Sequence, residues 1–564
     1  MPGDFRQTLP PWLRWIEGVV PVVLVAPHGG RRRAGAPIQD NVKVNDVYTA
    51  QLTEILAART GGYALINDGM DRNLLDLNRL SQVRARAPWF LSLLADLLRL
   101  LVWRHGEARV FFIHGWNVVQ PVCDVGVGLA ERSGRLVPVR KVKPTLSPEF
   151  FAAEILPFRA AGRARGIDIA VGRRYPAADQ NNVMRLFCAN HGADPGPPVP
   201  TLARLAAAGA VNAAQLELGI ALRWPGVERD RFIEVFCDTL GRHKQRMPGG
   251  RAGFAEVADA PPAAAAVARR RLPFPGLAVS RLPLRVGLHF HDPRSGLGLL
   301  GGLESNPSSP RSSGRLLLIL DRAELALFTG EDDGDAEPDT ASVGGLVWRA
   351  RERGVTIAFR GTLMRLSHPE AFIRLEEGLA TSHIEPAEIL LRLDVEPPAR
   401  DGAAPFLLSR VRGRVRLSDR VHEVDAWGFV DVLSPRDAGR LLPRRLLSLP
   451  FGPDLGVFIS RVEAEGGARS WGVVYHEGVA HTLGPADWKL SCALNGQRPR
   501  SFHLVLRGGA PVDLSCRAES LAAVPVVRHA VEGRALAATF GLVRAEWAGR
   551  EALGVYEFSV PRNA

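Results

Sequence analysis

The sequence predicts two regions of different fold class, an α/β region followed by an all-β region. In about the first 245 residues, short apolar runs alternate with stretches of helical spacing, which is typical of a mostly parallel sheet covered by helices on both faces. From residue 276 onward, many short strand-like runs are separated by Gly, Pro, Asp and Asn, which predicts a sandwich or barrel. A chain of 564 residues also exceeds the roughly 250–300 residues that one core supports.

The elements of the first region follow from the periodicity of the chain. Strands are predicted at residues 20–26, 64–67, 108–113, 167–172 and 213–220. Helices are predicted at residues 47–60, 88–105, 201–209 and 230–242, the first of which ends before Gly61-Gly62.

A connector separates the two regions. Residues 246–275 contain Gly249-Gly250, Pro261-Pro262 and an Ala run but few large apolar side chains, so we expect a linker between domains 1–245 and 276–564. Later strands are predicted at residues 316–320, 355–359, 388–394, 411–417, 455–462, 470–476 and 501–505. The acidic stretch 331–340 is predicted to be an exposed loop.

Composition narrows the possible partners. The formal charge is +12, but the basic residues are mostly scattered Arg, without basic blocks interleaved with aromatics, which disfavours nucleic acid as a partner. Arg instead suits a small carboxylate-bearing substrate. Five Cys without a C-x-x-C pair indicate reduced thiols. We see no signal peptide or transmembrane segment and expect a soluble, cytoplasmic chain.

Two histidines follow apolar strands in the first region. His28 lies in Pro-His-Gly-Gly and His114 in Ile-His-Gly. Two imidazoles at neighbouring strand ends plus a carboxylate such as Asp46 form a common catalytic zinc site with one position left for water. Taken singly, a His near a strand end is more often structural than a ligand, and Asp46 is more often a plain helix cap.

A further motif adds a candidate base. Gln215 and Glu217 flank Leu216 in a predicted strand and therefore face the same side of the sheet. A Glu that points into a metal pocket is suited to take a proton from water, whereas an edge-strand Glu would face solvent.

In this order, the motifs resemble those of the N-formylglutamate amidohydrolases, which belong to the zinc carboxypeptidase-like αβα hydrolases. The resemblance covers roughly residues 20–245 and is carried by four segments: Pro27-His28-Gly29-Gly30, Asp76-Leu77-Asn78-Arg79, His114-Gly115 and Gln215-Leu216-Glu217.

The resemblance implies a role for each matching residue. His28, His114 and Asp46 would bind Zn²⁺, and Glu217 would be the catalytic base. The substrate-binding residues would be Asn78, Arg79, His191 and Gln215, with Arg79 holding a carboxylate. The sequence departs from the family's pattern because Phe112-Ile113 replaces an acidic residue before the second His and because Gly29 replaces Ser.

The second region carries weaker signals. His289 and His291 alternate on a strand, and an aromatic cluster surrounds Trp427; both patterns also suit ordinary cross-strand packing. Residues 421–431 are similar to a motif of lipocalin-like proteins related to carotenoid hydratases and AttH-type domains. That resemblance implies two lipocalin-like barrel halves and an apolar ligand inside a barrel.

Three functions remain open from the sequence. The leading one is a zinc-dependent amidohydrolase that acts on an N-formyl or N-acyl amino acid. The second is a non-catalytic binder of small hydrophobic ligands with a degenerate hydrolase domain. The third is a hydratase or isomerase activity in the β domain.

Overall fold

The chain forms two compact units. Among the residues that the structure describes, the first unit contains those up to 242, except 118–120. The second unit contains 118–120 and the described residues from 284 onward. The proposed linker, residues 246–275, lies outside the described residues. The computed structural model of the chain describes residues 9–31, 43–132, 135–139, 142–188, 198–242, 284–305, 312–320, 324–332, 340–351, 354–368, 371, 375–394, 406–433, 444–464, 467–495, 498–507, 512, 514–529 and 535–561.

The first unit alternates strands and helices. Its strands are β1 (Leu13–Ile16), β2 (Val22–Ala26), β3 (Tyr63–Asn67), β4 (Ala108–Gly115), β5 (Val122–Gly126), β6 (Leu129–Arg132), β7 (Arg135–Pro138), β8 (Asp168–Val171) and β9 (Val211–Leu218). Its helices are α1 (Thr49–Thr60), α2 (Leu80–Arg86), α3 (Pro88–His105), α4 (Pro148–Phe150), α5 (Leu156–Ala164), α6 (Val199–Ala207) and α7 (Val227–Asp238). A π-helical turn, Phe151–Ile155, joins α4 to α5, and 3-10 turns cover Val183–Phe187 and Ile220–Leu222.

Seven of these strands form one mixed sheet in the order β1-β3-β2-β4-β9-β5-β8. The pairs β2–β3, β2–β4, β4–β9 and β5–β8 are parallel, and only the β1–β3 and β5–β9 pairs are antiparallel. A separate apolar cluster covers each face of the sheet. Central strands such as β2 are buried on both faces, which explains their continuous apolar sequence. The predicted αβα class is confirmed.

The second unit is built almost entirely of antiparallel strands. Its first part contains β10 (Leu284–His291), β11 (Gly298–Ser305), β12 (Ser312–Leu320), β13 (Glu324–Asp332), β14 (Thr340–Val343), β15 (Leu346–Arg351), β16 (Gly354–Leu366), α8 (Leu375–Thr381), β17 (His383–Asp394), β18 (Phe406–Leu417) and β19 (Arg420–Leu433). Its second part contains β20 (Arg444–Pro450), β21 (Leu455–Ala464), β22 (Gly467–His476), β23 (Val479–Leu483), β24 (Trp488–Asn495), β25 (Arg498–Leu506), β26 (Ser515–His529), β27 (Ala535–Trp547) and β28 (Arg550–Pro561).

One of its two sheets closes on itself. In the order β13-β12-β11-β10-β19-β18-β17-β16-β15-β14, the extra β13–β16 pairing closes eight strands into a barrel. The other sheet runs β23-β22-β21-β20-β28-β27-β26-β25-β24, and its edge strands do not pair with each other within the described residues. The all-β prediction is confirmed, as one closed barrel and one half-barrel.

The acidic stretch 331–340 differs from its prediction. β13 continues through Asp332 and β14 already begins at Thr340, so the loop expected there is wrong at both ends; residues 333–339 lie outside the described residues. The cause is cross-strand pairing, because β13 pairs with β12 as far as Asp332 despite its acidic side chains.

Among the helices that the structure describes, none combines the length and apolar character needed to cross a bilayer.

Candidate functional site

Two histidines lie side by side where neighbouring parallel strands end. His28 follows β2, and His114 lies near the end of β4; the two strands are paired in parallel. Their ring centroids are 4.8 Å apart, and both side chains are buried. The structure therefore brings together the two imidazoles that the sequence places at strand ends, because ends of adjacent parallel strands meet at one edge of the sheet.

Asp46 connects the two rings. Its Oδ2 lies 3.2 Å from Nδ1 of His28 and 3.3 Å from Nδ1 of His114. The alternative interpretation of Asp46 as a helix cap is wrong, because the N-cap position of α1 belongs to Tyr48 and no side chain caps it. The Asp46 side chain points to the histidines, where the backbone N–H of Gly115 also donates to it at 3.0 Å.

The three side chains fit a zinc ion. One ligand atom from each lies within 4.8 Å of the others. Tetrahedral zinc with bonds of roughly 2.0–2.1 Å separates its ligand atoms by about 3.3–3.4 Å, close to the two Asp46 distances. All three residues are buried, and two imidazoles with one carboxylate are a donor set that zinc commonly takes.

A second carboxylate fixes the orientation of His28. Its Nε2 lies 2.6 Å from Oδ1 of Asp76, which also accepts the backbone N–H of Asn78 at 2.9 Å. A neutral His28 that donates from Nε2 to Asp76 presents a lone pair on Nδ1, facing the Asp46 carboxylate. Two acceptors that face each other in this way are suited to share a cation.

The environment keeps both carboxylates ionised. Burial by itself would raise the pKa of Asp46, but Arg72, His28 and His114 outweigh it and hold that pKa well below its usual range. Burial likewise opposes ionisation of Asp76, yet the hydrogen bond with His28 and the charge of Arg72 lower its pKa. Negatively charged oxygens are what a cation at this place requires.

Three cations surround the outer oxygen of Asp76. Its Oδ2 lies 3.7 Å from Lys43 Nζ, 3.9 Å from an Arg72 terminal nitrogen and 3.8 Å from Arg79 Nε. Arg79 and Lys43 keep 41% and 47% of their side chains exposed, so both remain accessible to a bound anion. Asn78 lies beside them with its Oδ1 buried and without a partner in the described part of the chain.

Glu217 lies on β9, which pairs with β4, the strand that carries His114. It is the register partner of His114, and Nε2 of Gln215 donates to its Oε1 at 2.7 Å. Asn182 orients that glutamine by donating to its Oε1 at 3.0 Å. Burial raises the pKa of Glu217 to about 7, with Asp46 adding to the rise and His114 opposing it. Such a carboxyl is suited to exchange protons near neutral pH.

The candidate residues from the sequence are thus largely gathered in one place. His28, Asp46 and His114 form the centre, Asn78 and Arg79 lie around Asp76, and Gln215 and Glu217 lie on the neighbouring strand. His191 lies outside the described residues. Sequence reasoning missed Lys43, Arg72 and Asn182. Asp76 was given no role either, although it did carry a sequence signal, because it begins the Asp-Leu-Asn-Arg motif.

The β unit shows packing where the sequence left pocket or packing open. Trp427 and Trp471 pack against a buried cluster that contains Phe429 and Phe458. The ring of His289 lies 5.8 Å from that of Phe458. These contacts favour the packing interpretation for Trp427, Trp471 and His289, whereas His291 lines a cavity of about 210 Å³.

A family model matches the C-terminal part of the chain. Residues 407–562 match a family model described as a domain of unknown function, DUF7064. The match runs from β18 to the end of the half-barrel. No curated protein matches the chain.

Three solved structures each resemble part of the chain. An N-formylglutamate amidohydrolase from Ralstonia eutropha JMP134 is 14% identical, with 41% of this chain and 94% of that one covered at a TM-score of 0.26. A protein assigned as AttH from Nitrosomonas europaea is 12% identical, with 51% and 98% covered at 0.36. Kievitone hydratase from Nectria haematococca is 8% identical, with 50% and 89% covered at 0.31. None of these similarities assigns an activity to this chain.

Proposed function

We propose that the α/β unit is a zinc-dependent hydrolase of the amide bond in an N-formyl or N-acyl amino acid or a related compound. The observation that supports this most is the group of three buried potential ligands, His28, Asp46 and His114, with Glu217 beside it. Arg72 donates to Oδ1 of Asp46 at 3.0 Å, so Oδ2, which lies 3.2 Å and 3.3 Å from the two imidazoles, is the oxygen that would face the ion.

The residues of the chain divide the chemistry among them. His28, Asp46 and His114 would hold the ion, which when bound supplies Lewis acidity toward an amide carbonyl and lowers the pKa of a water molecule. Glu217 takes the proton from the attacking water and passes it to the nitrogen as the C–N bond breaks. Gln215 fixes one oxygen of Glu217 through the 2.7 Å hydrogen bond and leaves the other for this transfer.

The cations around Asp76 suit the acid end of such a substrate. Asp76 is already engaged by His28, so Lys43 and the partly exposed Arg79 carry positive charge that it compensates only in part. A substrate carboxylate placed against Arg79 makes a charge-assisted hydrogen bond. This supports a carboxylate-bearing substrate.

Metal content and turnover test the proposal together. The purified chain is expected to hold about one zinc ion, and H28A/H114A is expected to lose it. E217Q is expected to keep the zinc but lose hydrolysis of N-formyl and N-acyl amino acids, because Gln cannot accept the proton. Undiminished turnover by E217Q, or wild-type protein that binds no zinc, would contradict the proposal.

A second candidate role belongs to the β unit, which contains a mostly apolar cavity. Its volume is about 210 Å³, and its lining includes Leu521, Leu542, Leu553, His291 and Arg544. By contrast, the closed barrel buries large side chains such as Phe328 and Phe359, whose rings are 4.7 Å apart. The leucines that line the cavity between barrel and half-barrel favour a small apolar ligand. Because Arg544 also lines this cavity, we expect that ligand to carry an acidic group.

Ligand extraction tests this second role. Organic extracts of the purified chain are expected to contain a small apolar acid that is reduced in L542W, which fills the cavity. L490W, at a partly buried site in the half-barrel core away from this cavity, is the control. Equal amounts of ligand in L542W and wild type, or extracts without any ligand, would count against it.

A further inference from the structure

A buried guanidinium joins the segments that carry Asp46, His114 and Glu217. Arg223 follows the 3-10 turn at the end of β9, the strand that carries Glu217, and it is only 1% exposed. One terminal nitrogen donates to the carbonyl oxygen of Val47 at 2.8 Å, and the other donates to that of Trp116 at 3.2 Å. Val47 follows Asp46 directly, and Trp116 lies two residues after His114.

Gly115 provides the space for this contact. A Cβ at that position would lie 2.2 Å from a terminal nitrogen of Arg223 and 3.0 Å from the Cβ of Asp46. The same glycine donates its backbone N–H to Asp46. Because position 115 carries no side chain, the Arg223 guanidinium can lie directly against the Asp46 side chain and the strand that carries His114.

The chain around Arg223 is held in a strained form. Tyr48 has φ 68° and ψ 0° at the start of α1, a left-handed conformation that is unfavourable for a non-glycine residue. Its ring packs on Trp224 with centroids 4.9 Å apart, and Trp224 in turn lies 5.0 Å from the Arg223 guanidinium. Such strain persists only when surrounding contacts determine the conformation.

Charge also favours this arrangement. Burial lowers the pKa of Arg223 to about 10, an effect that Asp46 and Glu217 oppose. The guanidinium therefore stays positive at neutral pH and lies near two acidic residues of the site. Its second donor group also reaches Oδ1 of Asn117 at 3.4 Å.

From these contacts we infer that Arg223 is a positioning residue that holds Asp46 and His114 at the spacing that binds the metal. The inference rests on the proposed function. Arg223 itself touches no candidate ligand atom of the histidines; it acts through the carbonyl oxygens of Val47 and Trp116. Residues that orient metal ligands from outside typically contribute about 10–100-fold to metal affinity.

Zinc affinity of full-length variants tests the inference. Metal-stripped R223M is expected to bind zinc with a Kd about 10–100-fold higher than wild type, measured by competition with a chromophoric chelator. R223K can reach only one of the two carbonyl oxygens, so its zinc Kd is expected to lie between those of wild type and R223M. If R223M does not fold, R223K carries the test. The visible spectrum of the cobalt-loaded protein is expected to change in R223M, since ligand geometry sets it.

R109M is the matched control. Arg109 is also fully buried, but it contacts Glu107 and the carbonyl oxygen of Arg242 at the opposite end of β4. It is expected to lower the stability of the unit while leaving the zinc Kd and the cobalt spectrum unchanged. An R223M Kd equal to wild type, or an equal loss in R109M, would overturn the positioning role alone. A wild type that binds no zinc would instead overturn the proposed function and the inference together.

Discussion

At the residue scale, the orientation of the imidazoles depends on the carboxylates beside them. Asp76 lies 2.6 Å from Nε2 of His28 and determines which ring nitrogen faces Asp46. A carboxylate behind a ligating histidine also increases the basicity of the ring. Sequence patterns suggested that such a group was missing, because Phe112-Ile113 precedes His114; the structure supplies one to the other histidine.

Replacing Asp76 tests its role on His28. D76N keeps the size of the side chain but removes its charge, and we expect the zinc Kd to rise about 10–100-fold. D71N is the control, because Asp71 is a buried carboxyl on the same loop that bonds with Asn45 and Asn73 instead. Isothermal titration with zinc would show the difference, and equal affinities of the two variants would speak against an orienting role of Asp76.

The raised pKa of Glu217 predicts how pH affects the stability of metal-free protein. Its folded-state pKa of about 7 lies above the ordinary value of 4.5 for a glutamate, so the folded chain keeps a proton that the unfolded chain releases. Between these values the stability falls as pH rises, and the full loss of up to about 3 kcal/mol is reached above pH 7.

E217Q removes that ionisation. In the presence of a chelator, its stability relative to wild type is expected to increase from pH 5 to pH 8, as measured by urea unfolding. Gln keeps the hydrogen bond with Gln215, so the difference reports the charge. A stability difference that does not change with pH would show that Glu217 titrates as it does in water.

At the element scale, the junction between β4 and α1 leaves no room for a side chain at position 115. G115A places a methyl group against Arg223 and Asp46, and we expect weaker zinc binding together with lower stability. G106A is the control: Gly106 has φ 77° at the end of α3 with no atom near its missing Cβ, so only a backbone cost of about 1 kcal/mol is expected. Zinc titration and thermal unfolding of both variants separate the two effects. Zinc affinity in G115A equal to that in G106A would refute the packing role of Gly115.

Elements with strong local signals were predictable from the sequence. Helix α3 has the bounds 88–105 in both prediction and structure, because Pro88 starts it and Gly106 ends it. The parallel pairing of β2 and β4 follows from the strand and helix alternation, and it places His28 and His114 at one edge. The bounds of a helix and the alternation of strands and helices can thus be predicted from patterns within short stretches of sequence.

Other features depend on residues far apart in the chain and could not be predicted. Arg223 contacts Val47 across 176 positions, and His28 contacts Asp76 across 48. Asp46 looked like a helix cap because caps and ligands use the same residue types at the same place. Strand β13 keeps its pairing in spite of an acidic end, which composition alone assigns to a loop.

At the scale of the whole molecule, each unit has its own apolar core. One core lies around the mixed sheet and another within the half-barrel. We expect two calorimetric transitions in metal-free protein, of which zinc raises only that of the α/β unit, since a ligand stabilises what it binds. Zinc that shifted the β-unit transition would place the metal elsewhere. The sequence predicted two barrel halves, and only the register between β13 and β16 shows which one closes.

The central claim is that His28, Asp46 and His114 bind one metal ion, and anomalous diffraction at the zinc edge from zinc-loaded crystals tests it most directly. We predict one peak roughly 2.0–2.1 Å from Nδ1 of both histidines and about 2.0–2.2 Å from an Asp46 oxygen. A map without a peak among these three side chains, or with zinc bound only elsewhere, would contradict the account.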